Sequence, residues 1–198
     1  MNEITSRYLR DIGACQDACE QFRKELNGGR SLSVSRVFTR LKQINRLDWA
    51  NWLIVRLMTH EQQIRYAIYA AEQVIELYEE KYPDDKRPMQ AIEAAKKCLD
   101  NPSEKNKAAA RAAARAAFAA ADAAAYAADA GADAAAFAAA DAAYAAADAA
   151  YAAAYAAARA AFAAADADDA ALKKVQLKII NYGLRLISVS APKQEARP

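Results

Sequence analysis

The sequence predicts an all-α protein: a multi-helix bundle whose C-terminal half is alanine-rich and closely packed. One reason is that apolar residues recur at intervals of three and four through most of the chain, which is the period of an amphipathic helix. Another is that 45 of the 64 residues from 108 to 171 are alanine, the residue with the highest helix propensity. This alanine tract contains one glycine and no proline, serine or threonine. Nothing in it favours a strand.

Three helices are expected before residue 59. Seven apolar residues spaced by three and four define the face of the first, which should run from Ile4 to Leu26; they are Ile4, Tyr8, Ile12, Cys15, Cys19, Phe22 and Leu26. Asn27-Gly28-Gly29 should end it, because glycine accepts the left-handed C-cap conformation. The same spacing predicts a shorter helix from Val34 to Ile44. Asp48 is the expected N-cap of a third helix, Trp49 to Met58.

The next helices are predicted from capping signals. Thr59 and Gln62 have the spacing of a capping box, and the apolar face that follows continues to Tyr82, before Pro83. Pro88 suits the first turn of another helix. A further helix should begin at the segment Asn101-Pro102-Ser103-Glu104, read as a cap, a first-turn proline and a glutamate three residues on. After the tract, Leu172, Val175, Ile179, Tyr182 and Leu186 predict a closing amphipathic helix.

The large residues of the alanine tract form one stripe. Fifteen steps of three or four residues lead from Arg111 to Asp166 and cover 55 residues, a mean close to the period of an α-helix. The stripe consists of Arg111, Arg115, Phe118, Asp122, Tyr126, Asp129, Asp133, Phe137, Asp141, Tyr144, Asp148, Tyr151, Tyr155, Arg159, Phe162 and Asp166. Alanine covers the remaining faces.

The tract is expected to fold back on itself. A single helix of its length would extend for about 96 Å, whereas a compact domain of this chain length has a radius of gyration of about 16 Å. Gly131 and the aspartate-rich segment 166–169 are the expected breaks. The predicted organisation is an N-terminal helical region, 1–100, an alanine-rich helical region, 101–190, and a flexible tail, 191–198.

We expect the stripe to face outward and the alanine faces to point inward. Phe118 and Asp122 share one helical face, and burying an unpaired carboxylate costs several kcal/mol. Exposed tyrosines beside charges are typical of protein-binding surfaces. The expected partner-binding residues are Tyr126, Tyr144, Tyr151, Tyr155, Asp122, Asp141 and Asp148. In the alternative arrangement, the aromatic residues fill gaps against the N-terminal helices.

Composition and charge argue against several classes of protein. The net charge is +2, with −5 in the tract and +7 elsewhere. The basic residues outside the tract are spread over several helices, which favours a solvated face over nucleic-acid binding. Charges interrupt every window of the tract long enough to span a membrane. Met1 to Asp11 is charged and does not resemble a signal peptide, so we expect a cytoplasmic protein.

No catalytic, metal or cofactor site is predicted. Cys15, Cys19 and Cys98 are an odd set without disulfide spacing, and the first two fall on the apolar face of the first helix, where free cysteine packs as a small core residue. With His60 they could form a zinc site, but core packing is favoured. A Cys98 nucleophile with His60 as base is also disfavoured, because no orienting group is specified.

The ordered motifs resemble one known family. Gly13-Ala14-Cys15, Asp48-Trp49 with Trp52-Leu53, and 82–88 leading into 91–95 precede the Ala, Tyr and Asp tract and the closing helix. In this order they are similar to the alanine-rich "putative immunity proteins" of bacteria and phages. The resemblance implies a non-enzymatic, inhibitory protein of the cytoplasm, or of the host cytoplasm if phage-encoded, that neutralises a toxin or a host defence component by protein-protein interaction. The alternative is a nucleic-acid-binding accessory protein that uses the basic N-terminal half.

Overall fold

The computed structural model describes residues 3–26, 30–126, 130–147, 155–156, 159–160 and 169–189. Within these ranges, the side chains of 122–133, 147, 169–172 and 189 are not described. The chain order is β1 (Glu3–Ile4), α1 (Ser6–Asp11), α2 (Gln16–Leu26), β2 (Leu32–Ser33), α3 (Val34–Gln43), α4 (Leu47–Arg56), α5 (His60–Glu72), α6 (Ile75–Lys81), α7 (Arg87–Asp100), α8 (Glu104–Tyr126), α9 (Ala130–Ala147) and α10 (Asp169–Val189). The predicted all-α class is confirmed, apart from one short strand pair.

The N-terminal segment differs from the single helix predicted for Ile4 to Leu26. Gly13 has a φ of 78°, in the left-handed region that glycine enters readily, and it separates α1 from α2. Ile4 instead belongs to β1, which pairs antiparallel with β2 at Leu32. The apolar spacing of three and four continues across the break in the sequence and so concealed it, although the residue that α1 buries is Leu9, outside the predicted series.

The next two helices lie close to their predicted positions. The spacing-based prediction for α3 is confirmed, and the Ser33 side chain caps its N-terminus by accepting from the Arg36 amide. The prediction that Asp48 is the N-cap of α4 is wrong, because α4 begins at Leu47 and Asp48 lies in its first turn. A carboxylate there still interacts favourably with the positive end of the helix dipole.

The capping box of α5 is confirmed, and it has a second role. Thr59 and Gln62 exchange side-chain-to-backbone hydrogen bonds across the first turn of α5. The side-chain amide of Gln62 also donates a hydrogen bond to the Leu186 carbonyl at 2.7 Å. Leu186 lies near the C-terminal end of α10, where carbonyls lack helical partners. The long helix predicted up to Tyr82 is divided between α5 and α6, because the apolar spacing continues across the break at 73–74.

The charged loop before α7 is held by Asp85. Its Oδ2 accepts a hydrogen bond from the Tyr78 hydroxyl at 2.8 Å, and its Oδ1 accepts from the Arg87 Nε at 2.9 Å. These contacts, chiefly the hydrogen bonds from Arg87, hold the pKa of Asp85 well below its usual range. Burial and the bond to Asp85 raise the pKa of Tyr78 to about 12. The loop is thus a fixed turn, and Pro88 lies in the first turn of α7 as predicted.

The alanine tract folds back close to the predicted position. α8 ends at Tyr126 and α9 begins at Ala130, one residue before Gly131. The two helices contact one another, and a link of three residues requires them to be antiparallel. At the start of α8, Ser103 rather than Asn101 is the cap, because its hydroxyl accepts from the Asn106 amide at 3.3 Å. The second predicted break, at 166–169, lies almost wholly outside the described residues.

α9 is the central helix of the described structure. It contacts α5, α6, α7 and α8, and from residue 135 to residue 146 all of its alanines are buried. Alanine on every face lets several helices approach one axis closely, with many small dispersion contacts and almost no loss of side-chain entropy. The predicted inward packing of alanine is therefore observed.

The closing helix α10 returns to the N-terminal part of the chain and packs against α4 and α5. The helices come close together at Gly183, where an added Cβ would lie 2.7 Å from both Ile54 Cδ1 and Tyr66 Cε2. Tyr66 is fully buried, and its hydroxyl donates to the Asn51 side chain at 2.9 Å. An alanine at this position would therefore force neighbouring side chains to shift.

Candidate functional site

Aromatic and charged stripe residues form a cluster at the contact between α8 and α9. The Phe118 ring centroid lies 5.5 Å from the centroids of both Phe137 and Tyr144. The guanidinium carbon of Arg159 lies 4.0 Å from the Phe137 centroid, in a cation–π arrangement. These rings are half-buried and fill the gaps that alanine leaves between the two helices.

Asp141 is the buried charge of this cluster, with only 7% of its surface exposed. Arg159 Nε lies 2.9 Å from Asp141 Oδ2. Within the described part of the chain, that oxygen accepts no well-directed hydrogen bond, so the contact is an ion pair without hydrogen-bond geometry. Burial raises the pKa of Asp141 to about 6, and Arg159 offsets part of this rise. Desolvation therefore outweighs the attraction between the two charges.

The predicted partner-binding residues are in different environments. Tyr155 is exposed over 60% of its surface, Tyr144 is half-buried, and Asp141 is buried. The expected outward orientation is thus wrong at Asp141, because Arg159 supplies a counter-charge that the sequence argument did not include. The side chains of Asp122 and Tyr126, and all of Asp148 and Tyr151, lie outside the described residues. Partner binding by all seven residues stays a prediction.

A second candidate site is a cleft of about 700 Å³ in the N-terminal part of the chain. Its walls come from the loop at 13–15 and from helices α2, α3 and α4. Buried apolar side chains, among them Phe22, Val37 and Leu53, line its interior. The volume is within the range of binding pockets, which are mostly apolar with a few well-placed polar groups.

Two half-buried tryptophans line this cleft, and an arginine packs on the face of each. The guanidinium carbon of Arg46 lies 3.3 Å from the ring centroid of Trp49, and that of Arg56 lies 3.7 Å from the centroid of Trp52. Arg46 also donates two hydrogen bonds to Asp48, at 3.0 and 2.8 Å. These contacts restrain both rings, which lowers the entropy lost when a partner packs on them.

The charges of the cleft are mostly compensated. Arg40 Nε donates to Glu25 Oε1 at 2.8 Å across the cleft lining. The hydrogen bonds from Arg46 lower the pKa of Asp48. Arg36 is an exposed lining residue, and in the described ranges no ion pair or side-chain hydrogen bond is seen for it. Among the described residues that line the cleft, Arg36 is thus the one cation without an ion pair.

The three cysteines have different environments. Cys19 and Cys98 are buried, as expected of packing residues, and the Cys98 thiol donates to the Ala146 carbonyl at 3.2 Å. The prediction that Cys15 also packs in the core is wrong, because Cys15 is exposed and lines the cleft. Its position just after the break at Gly13 takes it off the buried face of α2. Among the described residues, no His, Cys, Asp and Glu side chains cluster as a metal site would require.

The apolar spacing of the segments around this cleft predicts ordinary core helices and no cleft. A signal was nevertheless present: Arg46 precedes Trp49 by three residues and Arg56 follows Trp52 by four, spacings that bring side chains together on one helix. The cleft itself depends on how α2, α3 and α4 are placed relative to one another. Local spacing does not give that placement.

Comparison with known proteins identifies the family. No curated protein and no solved structure matches the chain significantly. Among the described helices, none has the combination of length and apolar character required to cross a membrane. The family model for the Imm-5 like putative immunity protein matches residues 54–193, which is most of the chain and includes α5 to α10. The chain therefore belongs to the Imm-5 like putative immunity protein family.

Proposed function

We propose that this protein is a non-enzymatic immunity protein that neutralises a protein toxin, or a host defence protein, by binding to it. The observation that carries the proposal is the family match over residues 54–193. The fold supports it, since a helical scaffold with a closely packed alanine-rich centre can present defined surfaces to a partner. The exposed Tyr155 is suited to such a contact, because tyrosine gives a large contact area at low entropic cost.

Neutralisation is best tested by genetic selection. Fragments of the source genome that arrest the growth of a bacterial host are collected, and each is expressed together with this chain. We expect restored growth for one toxin, with the purified pair forming a stable complex in size-exclusion chromatography. The matched control is the same gene with an early stop codon. Salt-sensitive binding of duplex DNA, without rescue of any toxin, would instead favour the nucleic-acid accessory role.

The role of the stripe is tested at Tyr155. Tyr155→Ala should weaken binding of the selected toxin about tenfold or more, as an exposed aromatic contact residue does, and leave the melting temperature nearly unchanged. Leu77→Ala is the matched control, because Leu77 is also a large exposed apolar residue but lies on α6, outside the tract. Equal affinity of both variants and the parent protein would remove Tyr155 from the proposed interface.

A further inference from the structure

The cleft between α2, α3 and α4 lies outside the part of the chain that matches the family. All of its lining residues precede residue 54, the last being Leu53, whereas the family match begins at 54. The family match therefore assigns no role to the cleft. It is a built feature, with buried apolar side chains inside and two half-buried tryptophans held by arginines.

The charge around the cleft indicates what would complement it. Residues 1–53 contain nine basic and six acidic side chains. Of the charged lining residues, Glu25 is paired with Arg40 and Asp48 with Arg46, while the Arg36 side chain, exposed on the first turn of α3, has no ion pair within the described structure. An apolar group with a neighbouring carboxylate matches this arrangement, because it fills the interior and pairs with Arg36.

We propose that this cleft is the docking site for a segment of the protein partner in which apolar side chains stand next to an acidic residue. The inference rests on the proposed function, since it names the recognition element of the partner. The apolar side chains occupy the cleft beside Trp49 and Trp52, and the carboxylate pairs with Arg36. Tryptophan and arginine are the residues most enriched among those that dominate binding energy at interfaces.

The chemistry of the occupant is tested with a random twelve-residue peptide library displayed on phage and selected on the intact chain. We expect enriched peptides that combine apolar residues with aspartate or glutamate and bind with one-to-one stoichiometry by calorimetry. Ala18→Trp, which fills the cleft from α2, and Arg36→Glu, which reverses the edge charge, should each weaken the best peptide tenfold or more. Lys178→Glu, the same reversal at an exposed residue of α10, should change affinity less than twofold.

Cys15 gives a test that requires no change in the fold. It is exposed and lines the cleft, whereas Cys19 and Cys98 are buried, so a bulky maleimide should react with Cys15 selectively under native conditions. The modified protein should lose peptide binding, and Cys15→Ser treated with the same reagent should keep it. This arm stays informative if Ala18→Trp fails to fold by circular dichroism.

Several outcomes would overturn the proposal. The first is a selection that enriches no peptide. The second is a set of peptides that lack acidic residues or bind the Arg36→Glu variant as tightly as the parent protein. The third is a set of peptides whose affinity does not change when Cys15 is modified. Saturable binding of anilinonaphthalene sulfonate without any peptide would make the cleft a small-molecule site instead. The result is separable from the proposed function: a toxin neutralised equally by the cleft variants refutes only the cleft, and peptide binding without any neutralised toxin refutes only the function.

Discussion

The centre of the alanine tract and the N-terminal cleft show opposite ways of packing helices. Around α9, four helices approach one axis and bury its alanines completely between residues 135 and 146. Around the cleft, α2, α3 and α4 carry large and varied side chains and leave an opening of about 700 Å³. Small side chains allow close contact on every side, whereas large ones fill space only where their shapes match. The comparison predicts that α9 is intolerant of added volume.

The largest expected effect is therefore overpacking at the centre of α9. Ala139 is fully buried, and Ala139→Leu adds three carbon atoms where no space is left. We expect the free energy of unfolding to fall by about 3 kcal/mol, or roughly 6–12 °C in melting temperature for a chain of this size, measured by thermal circular dichroism. Ala119→Leu, at an exposed position of α8, is the matched control and should change little. Equal tolerance of leucine at the two positions would contradict the close packing of α9.

The buried carboxylate of the tract gives the next effect. The native pKa of Asp141 is about 6, above the roughly 3.9 of an unfolded aspartate, so the folded state holds the proton more tightly. Its contribution to stability is therefore greatest at low pH and decreases as the pH rises from about 4 to about 6. Asp141→Asn resembles the protonated side chain and should remove this dependence.

At pH 7, Asp141→Asn should raise the free energy of unfolding by about 2 kcal/mol. The pKa shift already includes the attraction of Arg159, and the expected gain is smaller than the shift implies because the asparagine amide must also be buried without a described hydrogen-bond partner. Arg159→Gln is the opposing control: it leaves the carboxylate buried without its cation and should destabilise the protein. Urea unfolding at several pH values measures both variants. A destabilised Asp141→Asn protein at pH 7 would show that the ion pair outweighs desolvation.

A third effect tests the close contact of α10 with the N-terminal helices. In Gly183→Ala, the added methyl group meets Ile54 and the buried ring of Tyr66 at 2.7 Å. Ile54 Cδ1 can move by rotation, but the ring is fixed by its bond to Asn51. Overpacking should therefore exceed the gain in helix propensity of about 1 kcal/mol and lower the free energy of unfolding by about 1.5 kcal/mol net. Lys178→Ala on the exposed face of the same helix should be nearly silent, and stabilisation by Gly183→Ala would contradict the described docking.

The smallest expected effect is at Asp85, whose pKa shift has the opposite sign to that of Asp141. Arg87 and Tyr78 favour the ionised form, so this contribution to stability is present above about pH 4 and is lost as the pH falls further. Asp85→Asn should lower the free energy of unfolding at pH 7 by about 1 kcal/mol, through weaker hydrogen bonds to Arg87. Asp84→Asn, one residue earlier and exposed, is the control. The free energy of unfolding is measured by chemical unfolding at several acid pH values. If it falls with pH as much in Asp85→Asn as in the parent protein, this role is excluded.

Much of the helical framework was predictable because its signals are local. The Thr59–Gln62 capping box, the proline at the start of α7 and the folding back of the tract near Gly131 depend on neighbouring residues. The breaks at Gly13 and at 73–74 were not predicted, since the apolar spacing continues across each of them. Apolar spacing in the sequence therefore does not reveal where a helix stops and a new one begins.

The candidate sites were less predictable because they depend on distant contacts. Asp141 and Arg159 are 18 residues apart in the chain, and their pairing reversed the expected exposure of Asp141. Cys15 was assigned to the core by its spacing, yet the break at Gly13 leaves it in the cleft lining. In both cases the surroundings of the side chain are set by tertiary packing, which local spacing in the sequence does not specify.

The hydrogen bond from Gln62 to Leu186 joins residues that are 124 positions apart in the chain. While the chain emerges from the ribosome, the surface of Ile54, Met58 and Tyr66 that receives Gly183 stays uncovered until α10 has been made. Contacts between such distant segments slow folding, because a long loop must close before they form. The apolar surface of α4 and α5 is therefore covered only after α10, far downstream in the chain, has been synthesised.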